Sequence, residues 1–306
     1  MLPHLKVRLC PGWLAVGLCY VAGMAPAATN ATSSALARVP LEFRNDVMVV
    51  QAQVNGSHPL AFLIDTGFGI NTIHPAVAES LHLQRSGHLT IIGIAGSEEA
   101  ATYSGLQYDF GGVTYAPRRV ASLPSDAQRR RRSRDGILGA GFFRRFVVAI
   151  DPVAKTMTLH EPKQFQYDGP GEVIPLKFVK DTPIIEADVT PVGKGAVRAT
   201  FEVDTGCDGA LCLGQPFVEA QGLIAADSAN SVRKGVGGDV ATRRGKLEQL
   251  QLGRLSIAQP TANFFTQGSP SDEPQAGHIG MGALRQFHII FDYERKRMIL
   301  EALPPR

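Results

Sequence analysis

Cysteine is scarce in this sequence, with four among 306 residues. Cys10 and Cys19 lie near the N-terminus, which leaves Cys207 and Cys212 for the rest of the chain. Their C-x4-C spacing lacks the two-residue gap and the second ligand pair of a zinc site, so a zinc site of this kind is excluded. The spacing leaves open whether the two thiols form a disulfide or are small buried residues.

The motifs of several enzyme classes are also absent. No Gly-x-Ser-x-Gly elbow supports a serine hydrolase. The glycine-rich segments have neither the Gly-x-Gly-x-x-Gly nor the Walker A spacing, so no nucleotide site is predicted. The histidines are scattered without metal-ligand spacing, so each is interpreted as a surface or packing residue, and no metal or other cofactor is expected. Beyond His4, which lies in residues 1–27, they are His58, His74, His82, His88, His160, His278 and His288.

Net charge is small. The formal value is +3, and removing residues 1–27, which contain Lys6 and Arg8 but no acidic residue, leaves 3 − 2 = +1. This near-neutral balance gives no reason to expect nucleic acid or an anionic membrane surface as a partner. A run with five arginines at 128–134 is interpreted as a solvated surface loop, with a processing or docking site as the alternative.

The N-terminus has the features of a secretory signal. Lys6 and Arg8 precede the uncharged stretch 9–24, and Ala25-Pro26-Ala27 supplies small residues before a cleavage site. Residues 1–27 are therefore predicted to be the signal peptide of an exported protein, periplasmic or secreted. An uncleaved anchor is the alternative. The apolar run is short for a membrane span of about 20 residues, so no stable membrane insertion is expected after cleavage.

The rest of the chain divides into two halves of similar pattern. Residues 28–39 form a polar lead-in that is expected to be flexible, and the segment 163–171, rich in proline and glycine, is interpreted as a linker. The predicted N-terminal domain is then 40–162, and the C-terminal domain is 172–306. Short alternating runs separated by glycine and proline dominate both halves, which favours a mainly β fold.

The two halves match at offsets of 139 to 142 positions. Asp-Thr-Gly at 65–67 recurs at 204–206, and the glycine-rich hairpin at 93–96 recurs at 235–238. A repeat of about 140 residues is too long for a solenoid and suits two homologous domains. The matching order of the segments therefore indicates a tandem duplication.

Each Asp-Thr-Gly is predicted to lie where a strand ends. Asn55-Gly56 predicts a hairpin turn, and the strand His58–Ile64 returns from it and ends just before Asp65. In the second half, Val197–Val203 leads to Asp204 in the same way. Both aspartates are therefore expected at strand-to-loop junctions.

The repeated triplet suits acid–base chemistry. Two carboxyl groups held a few ångströms apart cannot both ionise comfortably, so one keeps its proton near neutral or acidic pH. The ionised partner can act as general base on a water, while the protonated one donates a hydrogen bond to a carbonyl. The glycine permits a tight turn with N–H groups aimed at the carboxylate, and the threonine can lock one loop to the other. Asp65 and Asp204 are predicted to meet and share one catalytic water.

This pattern resembles the aspartic proteases of pepsin and retropepsin type. Each triplet follows apolar residues, and about 70 positions later come Ile137-Leu138-Gly139 in the first half and His278-Ile279-Gly280 in the second. The resemblance spans roughly residues 40–303. It implies two homologous retropepsin-like β-barrel domains in one chain, with the active site between them, as in bacterial exported members of the group.

The resemblance also implies roles for individual residues in the triplets and the glycine-rich hairpins. The implied catalytic pair is Asp65 and Asp204, supported by Thr66, Gly67, Thr205 and Gly206. The implied substrate-binding flaps, one in each half, consist of Gly93, Ile94, Ala95, Gly96, Gly235, Val236, Gly237 and Gly238.

The predicted function is an exported, metal-independent aspartic endopeptidase acting on a peptide or protein substrate. Because both acids lie in one chain, a functional monomer is expected. The alternative is a catalytically silent peptide-binding protein on the same fold. It is supported by Phe68 and Cys207, which stand where pepsins have Ser or Thr and retropepsins have Ala. A missing hydroxyl leaves one carboxylate oxygen with fewer donors, which is expected to raise the pKa of the pair.

Overall fold

The computed structural model describes residues 34–123, 134–270 and 274–303. The predicted signal peptide, residues 28–33 of the lead-in and the arginine run up to residue 133 lie outside these ranges. The first strand begins at Ala37, inside the predicted flexible lead-in, because residues 37–40 pair with a strand near the end of the first half. The mainly β prediction is confirmed, since strands far outnumber helices in the described ranges.

The first half consists of twelve strands and two short helices within the described residues. The strands are β1 (Ala37–Arg44), β2 (Val47–Val54), β3 (Leu60–Ile64), β4 (Thr72–Ile73), β5 (Gln84–Gly93), β6 (Gly96–Ser104), β7 (Tyr108–Asp109), β8 (Thr114–Tyr115), β9 (Val120–Ser122), β10 (Gly136–Leu138), β11 (Val147–Asp151) and β12 (Thr156–His160). The helices are α1 (Pro75–Ser80) and α2 (Ala140–Arg145).

The second half has the same plan. Its strands are β13 (Glu172–Pro175), β14 (Lys177–Val179), β15 (Thr182–Thr190), β16 (Val197–Asp204), β17 (Leu211–Leu213), β18 (Ala229–Gly235), β19 (Gly238–Lys246), β20 (Gln249–Leu252), β21 (Leu255–Ala258), β22 (Thr261–Phe265), β23 (Gly277–Gly280), β24 (Phe287–Asp292) and β25 (Arg297–Ala302). Its helices are α3 (Gln215–Gln221) and α4 (Met281–Leu284).

A run of six strands joins the two halves, in the order β13-β25-β24-β11-β12-β1, with three strands from each half. The matching strands β11 and β24 pair antiparallel at its centre, with Val148 opposite Phe291 and Ile150 opposite Ile289. These four side chains are at most 2% exposed and belong to a hydrophobic core shared by both halves. Burial of this apolar surface therefore holds the halves together.

The hairpin between β2 and β3 brings the chain to the first triplet. Asn55 and Gly56 have φ of +50° and +75°, the positive values that a tight two-residue turn requires, which confirms the predicted turn. β3 reads Leu-Ala-Phe-Leu-Ile, and all five residues are buried. Such a continuous apolar run is typical of a strand covered on both faces. The packing of β3 therefore fixes the position of Asp65, which directly follows the strand.

In each half a later strand is inserted beside the strand that precedes the triplet. β10 runs parallel to β3 with Leu138 opposite Ile64, and β23 runs parallel to β16 with Gly280 opposite Asp204. The N–H of Asp65 donates to the carbonyl of Leu138 at 3.0 Å. The inserted strands thus fix where both triplet loops begin.

The strands of the described residues form two sheets, and their hydrogen-bonded order does not close either half into the predicted barrel. The first-half strands run on from β3 through β2 and β1 into the six-strand run instead of returning to the edge strand β5. The two-domain plan is present, with its sheets open.

Candidate active site

Asp65 and Asp204 meet at the boundary between the halves, each at the end of its strand. The N–H of Gly67 donates to Asp65 Oδ1 at 3.0 Å, and the N–H of Gly206 donates to Asp204 Oδ1 at 2.9 Å. Both carboxyl groups line one cavity, and each lies against the triplet glycine of the other half. The structure therefore brings together the two acids that the sequence analysis singled out, with a backbone donor on each.

The threonines lock the two loops together. Thr66 N–H donates to Thr205 Oγ1 and Thr205 N–H donates to Thr66 Oγ1, both at 3.0 Å. The Thr66 hydroxyl donates to the Val203 carbonyl at 2.6 Å, and the Thr205 hydroxyl donates to the Ile64 carbonyl at 2.9 Å. Because both threonines are fully buried, loss of either hydroxyl would leave polar backbone groups without partners in the interior.

The glycines of the triplets make room for the opposite acid. A Cβ atom on Gly206 would lie 2.2 Å from Asp65 Oδ2, and one on Gly67 would lie 2.8 Å from Asp204 Cγ. A side chain at either position would therefore collide with the carboxyl group of the other half. Glycine is needed here for close approach.

His278 lies between Asp204 and Glu202. Its Nδ1 is 3.0 Å from Asp204 Oδ2, and its Nε2 is 2.9 Å from Glu202 Oε2. The three side chains are only 10% to 15% exposed. Burial alone lowers the pKa of His278, but the two carboxylates outweigh it and raise that pKa well above its usual value.

The two acids have pKa values shifted in opposite directions. Burial, followed by the charge of Asp204, raises the pKa of Asp65 well above its usual value. Burial also acts to raise the pKa of Asp204, but contact with His278 and the Gly206 N–H together lower it. Carboxyl groups whose pKa values are driven apart can divide the acid and base roles between them.

The two glycine-rich hairpins, β5–β6 and β18–β19, touch at their turns over the acids. The N–H of Ala95 donates to the Val236 carbonyl at 3.2 Å, and the N–H of Gly237 donates to Glu98 Oε1 at 3.3 Å. All eight predicted flap residues lie at these two turns: Gly93, Ile94, Ala95, Gly96, Gly235, Val236, Gly237 and Gly238. The turns therefore form a roof with one part from each half.

A cavity of about 700 Å³ lies beneath this roof, with Asp65 and Asp204 in its wall. Apolar side chains of both halves line it, including Phe68, Ile91 and Val236. The other basic and acidic residues that line it are Arg119, Arg134, Lys180, Glu202, Arg233, Lys234 and His278. The two acids thus face a space large enough for several residues of a peptide.

Comparisons with known proteins agree with this geometry. Residues 50–142 match the family described as aspartyl protease. The structure is similar to the crystal structure of an aspartic proteinase from Irpex lacteus, at a TM-score of 0.56 and 13% identity, covering 87% of this chain and 97% of that one. The predicted resemblance to aspartic proteases is thus confirmed for the fold of the chain and, over residues 50–142, for its sequence. No curated protein matches the sequence.

The two halves of the chain differ in the residue after the triplet. Phe68 packs against the apolar cluster of Ile91, Ala100 and Ala121 at the base of the first flap. Cys207 is buried, and Arg233 of the second flap donates to its sulfur at 3.6 Å. The first position is thus filled by apolar packing alone, and the second by packing against Val240 and Phe265 with a polar contact added.

Cys207 and Cys212 are both free thiols, with their sulfurs 3.5 Å apart. The hydrogen bond with Cys212, followed by burial, raises the pKa of Cys207 well above its usual value. Of the two possibilities left open by the spacing, the structure has the buried thiol pair.

The interpretation of every histidine as a surface or packing residue does not hold for His278. The sequence does contain a signal for its different surroundings. At the duplication offsets, Glu202 and His278 correspond to Leu63 and Ile137, so the second half has two ionisable residues where the first has aliphatic ones. Ionisable residues at such positions, in strands that flank an Asp-Thr-Gly, mark a chemical difference between the two halves.

Among residues 34–123, 134–270 and 274–303, no group of histidine, cysteine, aspartate and glutamate side chains is arranged to hold a metal ion. The Glu202, His278 and Asp204 contacts fit this finding, because the two ring nitrogens face different carboxylates and the three side chains do not converge on one point. In the same part of the chain, none of the helices has the length and apolar character needed to cross a membrane.

Proposed function

We propose that the chain is an aspartic endopeptidase in which a water molecule activated between Asp65 and Asp204 hydrolyses a peptide bond. The observation that carries the proposal is the meeting of two carboxyl groups, one from each half, in the wall of a cavity roofed by two flaps. The reciprocal threonine bonds support it, since they hold the loops in a fixed relation. Such preorganisation places acid, base and water for reaction.

The chemistry needs one proton on the pair. The ionised carboxylate takes a proton from water as the water oxygen bonds to the scissile carbonyl carbon, and the protonated carboxyl gives its proton to the carbonyl oxygen. The tetrahedral intermediate then collapses: the carbon–nitrogen bond breaks, and the proton taken from water passes to the leaving nitrogen. A hydroxyl proton returns to the other carboxyl as the new carbonyl forms, which restores the starting state.

The proposed substrate is an extended segment of a peptide or protein. Flap strands offer backbone groups to which such a segment can add as a further strand. Because the Ala95–Val236 hydrogen bond connects the two flap turns, we expect the turns to separate when a long substrate enters. No nucleic acid or cofactor is part of the proposal.

Export and a monomeric state are also part of the proposal. The basic start, uncharged stretch and small residues of 1–27 support export to the periplasm or the medium. The presence of both acids in one chain supports function as a monomer. Mass spectrometry of the mature N-terminus, expected at Ala28, and sedimentation of the purified protein test these two points.

The proposal is tested by incubating wild type, Asp65→Asn and Asp204→Asn with a proteome-derived peptide library. Wild type is expected to cleave, a pepstatin-type inhibitor to block cleavage, and both variants to be inactive. Asp188→Asn is the matched control, because Asp188 pairs with Arg198 on the surface and does not line the cavity. Cleavage by either active-site variant would contradict the proposal. Peptide binding without any product would favour the silent binding protein.

A further inference from the structure

The strands beside the two aspartates differ in one pair of side chains. On β3 and β10, Leu63 lies opposite Ile137, and both are buried in an apolar cluster. At the matching place on β16 and β23, Glu202 lies opposite His278. An ionisable pair therefore stands beside the second aspartate where an aliphatic pair stands beside the first.

Both nitrogens of the His278 ring face carboxylate oxygens. Nδ1 is 3.0 Å from Asp204 Oδ2, and Nε2 is 2.9 Å from Glu202 Oε2. A neutral imidazole has one N–H, so it would turn a lone pair toward one of these carboxylates. An imidazolium carries an N–H on both nitrogens, so the two close contacts suit a charged ring between two carboxylates. The Nε2 contact with Glu202 is an ion pair at 2.9 Å that lacks hydrogen-bond geometry.

We infer that His278, held by Glu202, is a positioning residue that keeps the negative charge of the aspartate pair on Asp204 and leaves the shared proton on Asp65. This assigns Asp204 as the base toward water and Asp65 as the acid toward the substrate carbonyl. The inference rests on the proposed function and deepens it. No additional reactant is needed, since the proton remains within the pair until the water reacts.

The physical reason is the unequal surroundings of two otherwise similar acids. A cation in contact with one carboxylate favours its ionised form. The aliphatic pair beside Asp65 gives no such support, and burial there favours the protonated form. Glu202 balances the ring charge, so that the imidazolium is stable in a site only about one-tenth exposed.

Other ionisable groups face this site from the elements packed around it. They are Asp65, Arg134, Cys207, Cys212, Arg233 and Tyr293. Arg233 pairs with Asp208 and contacts Cys207, whereas His278 contacts Asp204 itself. Arg134 acts on Asp65 and lowers its pKa, but this effect is smaller than those of burial and Asp204.

The test is the pH dependence of kcat/KM on a casein-derived peptide that wild type cleaves. His278→Gln keeps a hydrogen-bonding side chain but removes the charge, so the acidic limb of the profile is expected to move to higher pH by about one unit or more. Glu202→Gln is expected to move it in the same direction by a smaller amount. An acidic limb that stays in place in His278→Gln would overturn the inference.

His288→Gln is the matched control. His288 also contacts two carboxylates, with Nε2 3.0 Å from Asp151 and Nδ1 3.5 Å from Glu301, and it does not line the cavity. A structural loss common to histidines paired with two carboxylates would appear in both His278→Gln and His288→Gln. The pH profile of His288→Gln is expected to match that of wild type. An equal shift of the acidic limb in both variants would count against a positioning role for His278.

Nuclear magnetic resonance of the imidazole nitrogens gives a readout that needs no activity. In wild type, the His278 signal, assigned by its absence in His278→Gln or by through-bond connectivity, is expected to remain that of an imidazolium above about pH 7.5. In Asp204→Asn its midpoint is expected to fall, and a midpoint near the ordinary value in wild type would overturn the inference. Failure of the proposed function appears separately, as cleavage retained in the aspartate variants or absent in wild type.

Discussion

The loop around Asp65 and the loop around Asp204 share one frame, but the side chains around them differ. The frame consists of the two Asp-Thr-Gly triplets, with the hydrogen bonds between their threonines and the close approach at their glycines. At four matching positions the side chains near Asp65 are apolar and those near Asp204 are polar or charged, although Arg134 also acts on Asp65 and lowers its pKa. In matching order, Leu63, Ile137, Phe68 and Ile91 correspond to Glu202, His278, Cys207 and Arg233. The duplicated frame thus holds two acids in equivalent geometry and in unequal electrostatic environments.

The residues that position the two acids are different from the residues that give them unequal pKa values. Triplet glycines and threonines make the same contacts in both directions between the halves. The neighbouring pairs make different contacts, and with them the pKa of Asp65 is raised while that of Asp204 is lowered. Changes to the frame should therefore affect both acids alike, and changes to the neighbours should affect one acid at a time.

The largest effect is expected from Gly206→Ala, which breaks the frame. Its Cβ atom would lie 2.2 Å from Asp65 Oδ2, so the two carboxyl groups must move apart. A misplacement of about 1 Å costs roughly a hundredfold in rate, so kcat/KM should fall at least that far. Gly209→Ala is a nearby control with a gentler contact, since its Cβ atom would lie 3.3 Å from Asn263 Nδ2. Equal activity in the two variants would contradict the close-approach argument.

A somewhat smaller effect is expected from Thr66→Val, which should lower the free energy of unfolding by about as much as Thr205→Val does. Each substitution leaves one buried N–H and one buried carbonyl without a partner, and each such group costs about 1–3 kcal/mol. Urea unfolding should show similar losses in the free energy of unfolding, with Thr66→Ser close to wild type. A large difference between the two valine variants would mean that the frame is not symmetric.

Transferring the ionisable pair to the first half should reduce the difference between the acids. In Leu63→Glu/Ile137→His the new imidazolium would favour ionised Asp65, so the basic limb of the pH profile should move to lower pH by about one unit. Leu63→Glu alone should be less stable than the double variant, because it buries an unpaired carboxylate. A basic limb that stays in place in the folded double variant would argue against the assigned role of the pair.

A smaller effect is expected on the pH dependence of stability. The folded-state pKa of His278 is raised, so its contribution is fully present below the unfolded value of about 6.5 and is lost as pH rises through the folded value. The difference in free energy of unfolding between wild type and His278→Gln should therefore be larger at about pH 6 than at about pH 10. Urea titrations at the two pH values measure it, and a constant difference would contradict the charged ring.

The smallest effect is expected from Cys207→Ser. The hydroxyl replaces a buried thiol beside Asp204 without removing a charge, so kcat/KM should change by less than about fivefold, equivalent to about 1 kcal/mol. Phe68→Ser, at the matching position, should cost more stability because Phe68 packs against two apolar clusters. Measuring kcat/KM and the free energy of unfolding of both variants compares the two halves at the position that follows each triplet.

Much of the frame could be predicted from the sequence, because its signals are local or repeated. Two Asp-Thr-Gly triplets at a fixed offset gave the acids, and Asn55-Gly56 gave the hairpin turn. Glu202 was harder to interpret, since it stands between Phe201 and Val203 and looks like the solvent-facing residue of an alternating strand. Its contact with His278 joins residues 76 positions apart, which only the inserted strand brings together.

The account is tested most directly by the pH profile of kcat/KM for wild type and Glu202→Leu/His278→Ile, measured side by side on one peptide. The double variant gives the second half the aliphatic pair that the first half already accommodates at Leu63 and Ile137. The account predicts a folded, active protease whose acidic limb lies at higher pH by about one unit or more. Superimposable profiles would contradict it.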